Sequence, residues 1–439
     1  METEVLEKTV DAKKASLKLA NLNAKVKNNA LHAMTKAVEE NRGRILEANK
    51  RDVESAEKLV REGKMSKAFL NRLKLSESKL DDVVKGLESV EKLDDPSGKT
   101  LSCTELDKGL VLYKVSCPIG LIGVIFESRP DVVPQVSALC LKSGNAVILK
   151  GGSEAKESNR TLFNVLRNAS VAAGVPDGWM QLIETREEVN EILSLDEHID
   201  LLIPRGSNRF VKFIQENTKI PVLGHSEGVC HVYVDEKAEL NKAWNICFDA
   251  KTQYPAACNA METLLVHKKI ANTFLPKMAE RYIKAGVKLK GCARTRSILK
   301  NRNIEEAVRE DWGVEYGDMI LSIKVVDSLE DAIEHVNTYS SGHTDAIVTE
   351  NKKNARRFME EVDSSSVMHN ASTRFSDGFR YGLGAEVGIS TNKTHARGPV
   401  GLEGLVIYKY LLEGSNHIVA DYMGRHAKKY SHKKLRKTW

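Results

Sequence analysis

In residues 121–152, LIGVIFESRPDVVPQVSALCLKSGNAVILKGG, two apolar runs rich in Val, Ile and Leu enclose a helical stretch that closes at Ser143, Gly144 and Asn145. Short buried runs on either side of a helix read as strand, helix, strand. That order predicts a parallel sheet covered by helices, with ligands gathering beyond the carboxyl ends of the strands. Lys150, Gly151, Gly152 and Ser153 stand at such an end, ahead of the helical stretch 153–174.

The alternation continues outward. Residues 178–184 read as a strand, 185–195 as a helix opening on a Thr185 cap, and 199–208 as a strand ending in Pro204, Arg205, Gly206, Ser207 and Asn208. A Gly-Ser turn ahead of a helix offers backbone N–H groups to phosphate, although such turns also carry Gly and Ser for conformation alone. There is no GxGxxG, so the usual dinucleotide fingerprint is missing. Residues 220–235 add a strand, a polar turn with His225, Ser226 and Glu227 between Gly224 and Gly228, and a further strand. Upstream, another strand precedes a turn at 117–120, DDPSGK at 94–99 breaks the pattern, and residues 2–93 form a run of amphipathic helices.

The stretch 249–267, DAKTQYPAACNAMETLLVH, centres on Cys258 among alanines and runs into a buried strand. Small neighbours leave a sulfur room to meet a substrate, and the same composition also suits a small buried hydrophobe. Beyond it, the basic run 292–303 reads as a solvated loop, and residues 315–326 open on Glu315 and enter a strand. The block 367–413 is Gly-rich and bears Asn370, Ser372, Thr373, Arg374, Arg380, His395 and Arg397. Loops this long in a compact chain are usually functional, and a guanidinium fork matches carboxylate or phosphate. The tail after residue 414 turns basic and reads as a solvated extension.

Composition narrows the function classes. With 439 residues the chain can bury two or three lobes. Its 66 Lys and Arg against 60 Asp and Glu leave a formal charge of only +6, and the basic run 292–303 lacks interleaved aromatics, so no nucleic-acid partner is expected. The seven cysteines contain no CxxC pair, which predicts free thiols, no metal site and a reducing, cytoplasmic setting. Nowhere do about 18 apolar residues run together, so no membrane association is expected.

Taken in collinear order over roughly residues 10–425, PIGLIGVIFESRPD, ILKGGSEA, IPRGSN, GHSEGVCHVYVD, QYPAACNAMETLL and the block from Asn370 closely resemble the γ-glutamyl phosphate reductase family of the aldehyde dehydrogenase superfamily. The resemblance implies an α/β, aldehyde dehydrogenase-like fold. It would comprise a Rossmann-type cofactor domain (1–105 and 117–227), an α/β catalytic domain (228–402), a β-strand oligomerisation arm (106–116 and 403–414) and a basic tail (415–439). It assigns Cys258 as the nucleophile. Lys150 and Glu154 match the adenosine-ribose motif, Gly206 and Ser207 the pyrophosphate-side turn, and Glu315 the carboxylate that holds the nicotinamide ribose, with Gly152, Ser153 and Arg205 as further cofactor-binding candidates beside them. Asn259, Asn370, Ser372, Thr373, Arg374, His225, Ser226 and Arg397 are the candidates for oxyanion and substrate contacts. The usual side-chain oxyanion donor falls near Ser128 and Arg129. Where hydrolytic relatives carry a water-activating Glu before a Leu-Gly pair, this chain has Val222 before Leu223 and Gly224.

The resemblance further implies NADPH-dependent reduction of L-glutamyl 5-phosphate to L-glutamate 5-semialdehyde through a cysteine thioester, the second step of proline biosynthesis. A homo-oligomer supplied by a separate glutamate 5-kinase is expected. The rival expectations are a hydrolytic NAD(P)-dependent aldehyde dehydrogenase and an inactive scaffold of the same fold.

Overall fold

The computed structural model describes residues 3–224, 227–300 and 303–439. The chain divides into two compact units, Met1–Leu223 with Leu383–Gly388 and Val400–Trp439, and Gly224–Gly382 with Ile389–Pro399.

The first unit opens with helices Glu4–Leu19, Ala24–Glu40, Arg42–Arg61, Lys67–Leu73 and Glu77–Lys92. Short polar side chains start them: Thr3, Asn23, Ser66 and Ser76 each accept from a backbone N–H three residues on. Next in the chain come strands β1 (Thr100–Asp107), β2 (Leu110–Pro118), β3 (Leu121–Phe126), β4 (Ala146–Lys150), β5 (Met180–Ile183) and β6 (Leu201–Arg205). The last four form a parallel sheet in the order β5-β4-β3-β6. Every residue of β3 and β4 is buried, as expected where helices cover both faces. Ile125 pairs with Lys150 and Phe126 with Arg205, so the carboxyl ends of three neighbouring strands lie side by side. Helix Val132–Ser143 ends on Gly144 at φ 83°, where an added Cβ would lie 2.8 Å from Pro118 Cγ. Gly144→Ala should therefore lower stability by about 1–3 kcal/mol, read as a drop in the urea or thermal midpoint.

The second unit contains β7 (Cys230–Val234), β8 (Met261–His267), β9 (Lys288–Gly291), β10 (Glu305–Glu306), β11 (Ile320–Val326), β12 (Thr344–Val348), β13 (Ser366–His369) and the short pair β14 (Ile389–Ser390) and β15 (Gly398–Pro399). Its main sheet is parallel, in the order β10-β9-β11-β8-β7-β12-β13. Val232, Leu264, Phe274 and Ile323 pack on one face, and Tyr233, Leu265, Ile347 and Phe358 on the other. The basic run at 292–303 is not a simple loop. Residues Ala293–Ile298 form a helix whose arginines are spent on structure, Arg294 on Asp327 at 2.7 Å and Arg296 on Glu306 at 2.8 Å.

The remaining sheet is antiparallel and belongs to the first unit. It joins β16 (Val406–Glu413), β2, β1 and β17 (Lys433–Leu435) in that order. The strand pairing thus reaches beyond 106–116 and 403–414. The basic tail is exposed along most of its length, as a solvated extension would be, but part of it pairs into this sheet. Cys103 pairs with Leu435, the Trp439 ring lies 5.3 Å from Tyr113, and the Trp439 amide donates to Thr100 Oγ1 at 2.8 Å. Its lysines keep their charge in water while the backbone closes one edge of the sheet. No helix among the described residues is long and apolar enough to cross a membrane.

Candidate active site

Helix Leu240–Thr252 ends just before two tight turns, Ala257 N to Tyr254 O at 3.2 Å and Ala260 N to Ala257 O at 2.9 Å. These turns set Cys258 immediately ahead of β8. Its sulfur lies 3.2 Å from His343 Nε2, and His343 is wholly buried with Nδ1 2.8 Å from Thr344 Oγ1. Cys230 lies behind the loop and donates from its thiol to the Cys258 carbonyl at 3.3 Å. Burial pushes the Cys140, Cys230 and Cys247 thiols up, out of reach of neutral-pH chemistry. Cys258, in contrast, is half-buried and sits against an imidazole, the arrangement a nucleophilic thiolate needs.

Gly228 passes so close that an added Cβ would lie 2.1 Å from the Cys258 carbonyl oxygen, and its amide donates to Glu315 Oε2 at 3.0 Å. Glu315 is thereby fixed against the same loop as Cys258. Arg374 faces this region. Its Nε donates to Gln253 Oε1 at 2.9 Å, and its guanidinium lies 5.8 Å from the Tyr254 ring centre. Burial and the charge of Arg380 pull Arg374 below its ordinary value, while Cys258, Asp377 and Asp249 act in the opposite sense. Ser372 accepts from the Arg374 amide, and Asn259 donates to the Ser376 carbonyl at 2.8 Å. Asn259 Oδ1 and Thr373 Oγ1 are buried with no hydrogen-bond partner among the described residues.

Two of the expected contact residues already have partners within the chain. Asn370, in the left-handed region at φ 53°, accepts from the Thr349 amide and donates to the Thr349 carbonyl, both at 3.0 Å, and so braces a loop. Arg397 is held on Asp363, 3.1 Å from its carboxylate and 3.0 Å from its carbonyl. His225 and Ser226 lie outside the described residues.

In the first unit, Lys150, Gly152, Ser153, Glu154, Arg205, Gly206 and Ser207 gather at the carboxyl ends of β4 and β6, flanking the end of β3. Glu154 Oε1 accepts from both the amide and the hydroxyl of Ser128, at 2.7 and 2.5 Å, so the Ser128 hydroxyl is engaged within this unit. A Cβ on Gly152 would lie 2.0 Å from Glu154 Oε1, and one on Gly206 would lie 2.7 Å from Glu127 Oε2. The Ser207 amide is already bonded to Glu127 Oε2 at 2.9 Å, and Arg205 donates to Gln135 Oε1 at 3.2 Å. A carboxylate therefore occupies the turn read from sequence as an anion seat. The donor set still suits a dinucleotide: glycines where backbone must approach a ligand closely, a helix N-terminus, and a Lys and Glu with the chemistry to meet ribose hydroxyls.

Sequence reasoning missed His343. Cys230, Cys258 and His343 stand at the amino ends of β7, β8 and β12, three parallel neighbours, whereas the rule that located the first unit's residues searches carboxyl ends. A His opening a fully buried strand was the available signal.

Comparison with known proteins is consistent with this geometry. The profile described as aldehyde dehydrogenase family matches residues 2–295 and 319–384. The γ-glutamyl phosphate reductase of Methanosarcina barkeri is 59% identical over 439 residues, covering 99% of this chain and 98% of its own. That of Methanococcoides burtonii is 60% identical with the same coverage. The crystal structure of γ-glutamyl phosphate reductase from Thermotoga maritima superimposes with a TM-score of 0.90 at 42% identity, covering 95% of this chain and all of the other.

Proposed function

The chain belongs to the aldehyde dehydrogenase family and, within it, to the γ-glutamyl phosphate reductases, and on that premise we propose that it reduces L-glutamyl 5-phosphate to L-glutamate 5-semialdehyde with NADPH, in proline biosynthesis. The observation that carries the reading is the 3.2 Å contact between Cys258 Sγ and His343 Nε2. His343 takes the thiol proton, the Cys258 thiolate attacks the acyl carbonyl, and phosphate leaves to give a thioester on Cys258. The Cys258 backbone N–H is the oxyanion donor. NADPH, when bound, supplies the hydride that converts the thioester to a hemithioacetal. Collapse of that adduct returns the sulfur as thiolate and releases the semialdehyde. Arg374 is suited to the substrate carboxylate.

Val222 packs against apolar core where a hydrolytic enzyme would need a base, which favours an acyl-enzyme that outlives water. Lys150, Gly152, Ser153, Glu154, Arg205, Gly206 and Ser207 are proposed to hold the adenosine and pyrophosphate, with Glu315 on the nicotinamide ribose. Glu127 must then swing off the Ser207 amide. The exposed Tyr410 and Leu412 on β16 suit an arm that joins copies of the chain, and a glutamate 5-kinase is proposed as the source of the acyl phosphate.

The reverse reaction tests the reading. With glutamate 5-semialdehyde, NADP should be reduced only when inorganic phosphate is present, and faster than NAD. Reduction at the same rate without phosphate would identify the hydrolytic alternative.

A further inference from the structure

Lys251 and Glu262 form an ion pair 2.6 Å long, and both side chains are wholly shielded from solvent. The two residues bracket the loop that carries Cys258. Lys251 lies in the last turn of helix Leu240–Thr252, and Glu262 is the second residue of β8. The other carboxylate oxygen of Glu262 accepts from the Gly317 amide at 3.1 Å. Gly317 is two residues beyond Glu315, which itself accepts from the Gly228 amide at 3.0 Å, and Gly228 has no room for a side chain against Cys258. One carboxylate thus closes a circuit from the nucleophile loop through the Glu315 turn and back to the nucleophile.

Stability alone does not explain such a pair. Two buried charges lose so much hydration that an apolar pair of similar volume often serves as well or better. Burial pushes the Glu262 carboxyl up to about 7, against the pull of Lys251 and the Gly317 amide. What an apolar pair cannot supply is the directed bond to the Gly317 amide.

We propose that Lys251 and Glu262 are positioning residues that hold Glu315 in register with Cys258. The inference rests on the reading of Glu315 as the nicotinamide-ribose carboxylate. Lys251 anchors Glu262 from the helix side, Glu262 sets the height of the Glu315 turn, and the ribose carboxylate and the thiolate keep a fixed separation.

The test is a cycle on the full-length enzyme with three variants: the double replacement Lys251→Met with Glu262→Leu, the single Glu315→Gln, and all three together. The double replacement should keep the parent's unfolding midpoint or exceed it, and Cys258 should react with iodoacetamide within about twofold of the parent rate, because the thiol and His343 are untouched. Its NADP dissociation constant and KM should rise about tenfold, with kcat down about 10- to 100-fold, the scale of a small misplacement. In the Glu315→Gln background the same replacement should add almost nothing, since its effect passes through Glu315. Full additivity, or parental NADP binding and turnover in a folded double variant, overturns the proposal. If Glu315→Gln alone leaves NADP binding unchanged, the reading of Glu315 fails, a distinct result. Should the double replacement not fold, Glu262→Gln, which keeps the shape and an acceptor, runs the same cycle at smaller amplitude, and additivity there overturns it equally.

Discussion

Cys258→Ala should abolish reduction, with kcat down by about 10⁴-fold or more, because no other group can carry the acyl chain between loss of phosphate and arrival of hydride. The fold should be indifferent to the change: Cys258 is half-buried beside Ala256, Ala257 and Ala260, and its thiol fills no core cavity. NADP binding should persist, since Cys258 is not among the residues proposed to hold the cofactor. The variant therefore separates loss of chemistry from loss of structure, with kcat, the unfolding midpoint and NADP titration measured together. Cys258→Ser is the sharper control. A hydroxyl at the same place still meets His343 but is a far weaker nucleophile at neutral pH, so activity should remain about 10³-fold down or lower. A trapped acyl adduct on the peptide containing Cys258, formed with acyl phosphate and no NADPH, should be seen in the parent and in neither variant. Turnover by Cys258→Ala within a factor of about 100 of the parent would remove Cys258 from the mechanism.

The elements that sequence made legible share a physical cause. β3, β4 and β6 are buried on both faces, so they read as unbroken apolar runs, and Gly144 and Thr185 mark helix ends through backbone needs that few other residues meet. Where burial is partial the signal fades. β1 shows mixed burial along TLSCTELD, and in β17 only Leu435 turns inward from a run of lysines, so neither presents a clean alternation. Helix Ala293–Ile298 is stabilised by ion pairs with Asp327 and Glu306, partners that are distant in sequence from its arginines. The site was half legible for the same reason. Cys258 stands out in sequence by its motif, but Lys251 in an amphipathic helix and Glu262 at the head of a strand look like solvated charges until the fold places them 2.6 Å apart. Asn370 shows the converse: a polar residue in a Gly-rich block looks like a ligand contact, and only the fold shows its φ of 53° and its amide bonds to Thr349, which sequence does not signal.

Removing the imidazole should be the next most damaging change, and the form of the damage identifies what His343 does. Its Nε2 lies 3.2 Å from Cys258 Sγ and its Nδ1 2.8 Å from Thr344 Oγ1, so the Thr344 hydroxyl can serve either tautomer by donating or accepting. A neutral imidazole with Nε2 free of hydrogen accepts the thiol proton; the imidazolium that results donates back to the thiolate and stabilises it. His343→Gln retains a polar group of similar reach that can share a hydrogen bond with the sulfur but cannot take its proton. His343→Ala leaves a cavity in a wholly buried position beside β12. If proton transfer is the function, both variants should lose about 10²- to 10⁴-fold in kcat/KM, and Gln should rescue stability without rescuing rate. Iodoacetamide should label Cys258 about tenfold more slowly at neutral pH in either variant, followed on the Cys258 peptide because Cys117 and Cys292 are also partly accessible. A Gln variant that turns over like the parent would assign His343 to packing and leave the thiol to be activated by another group.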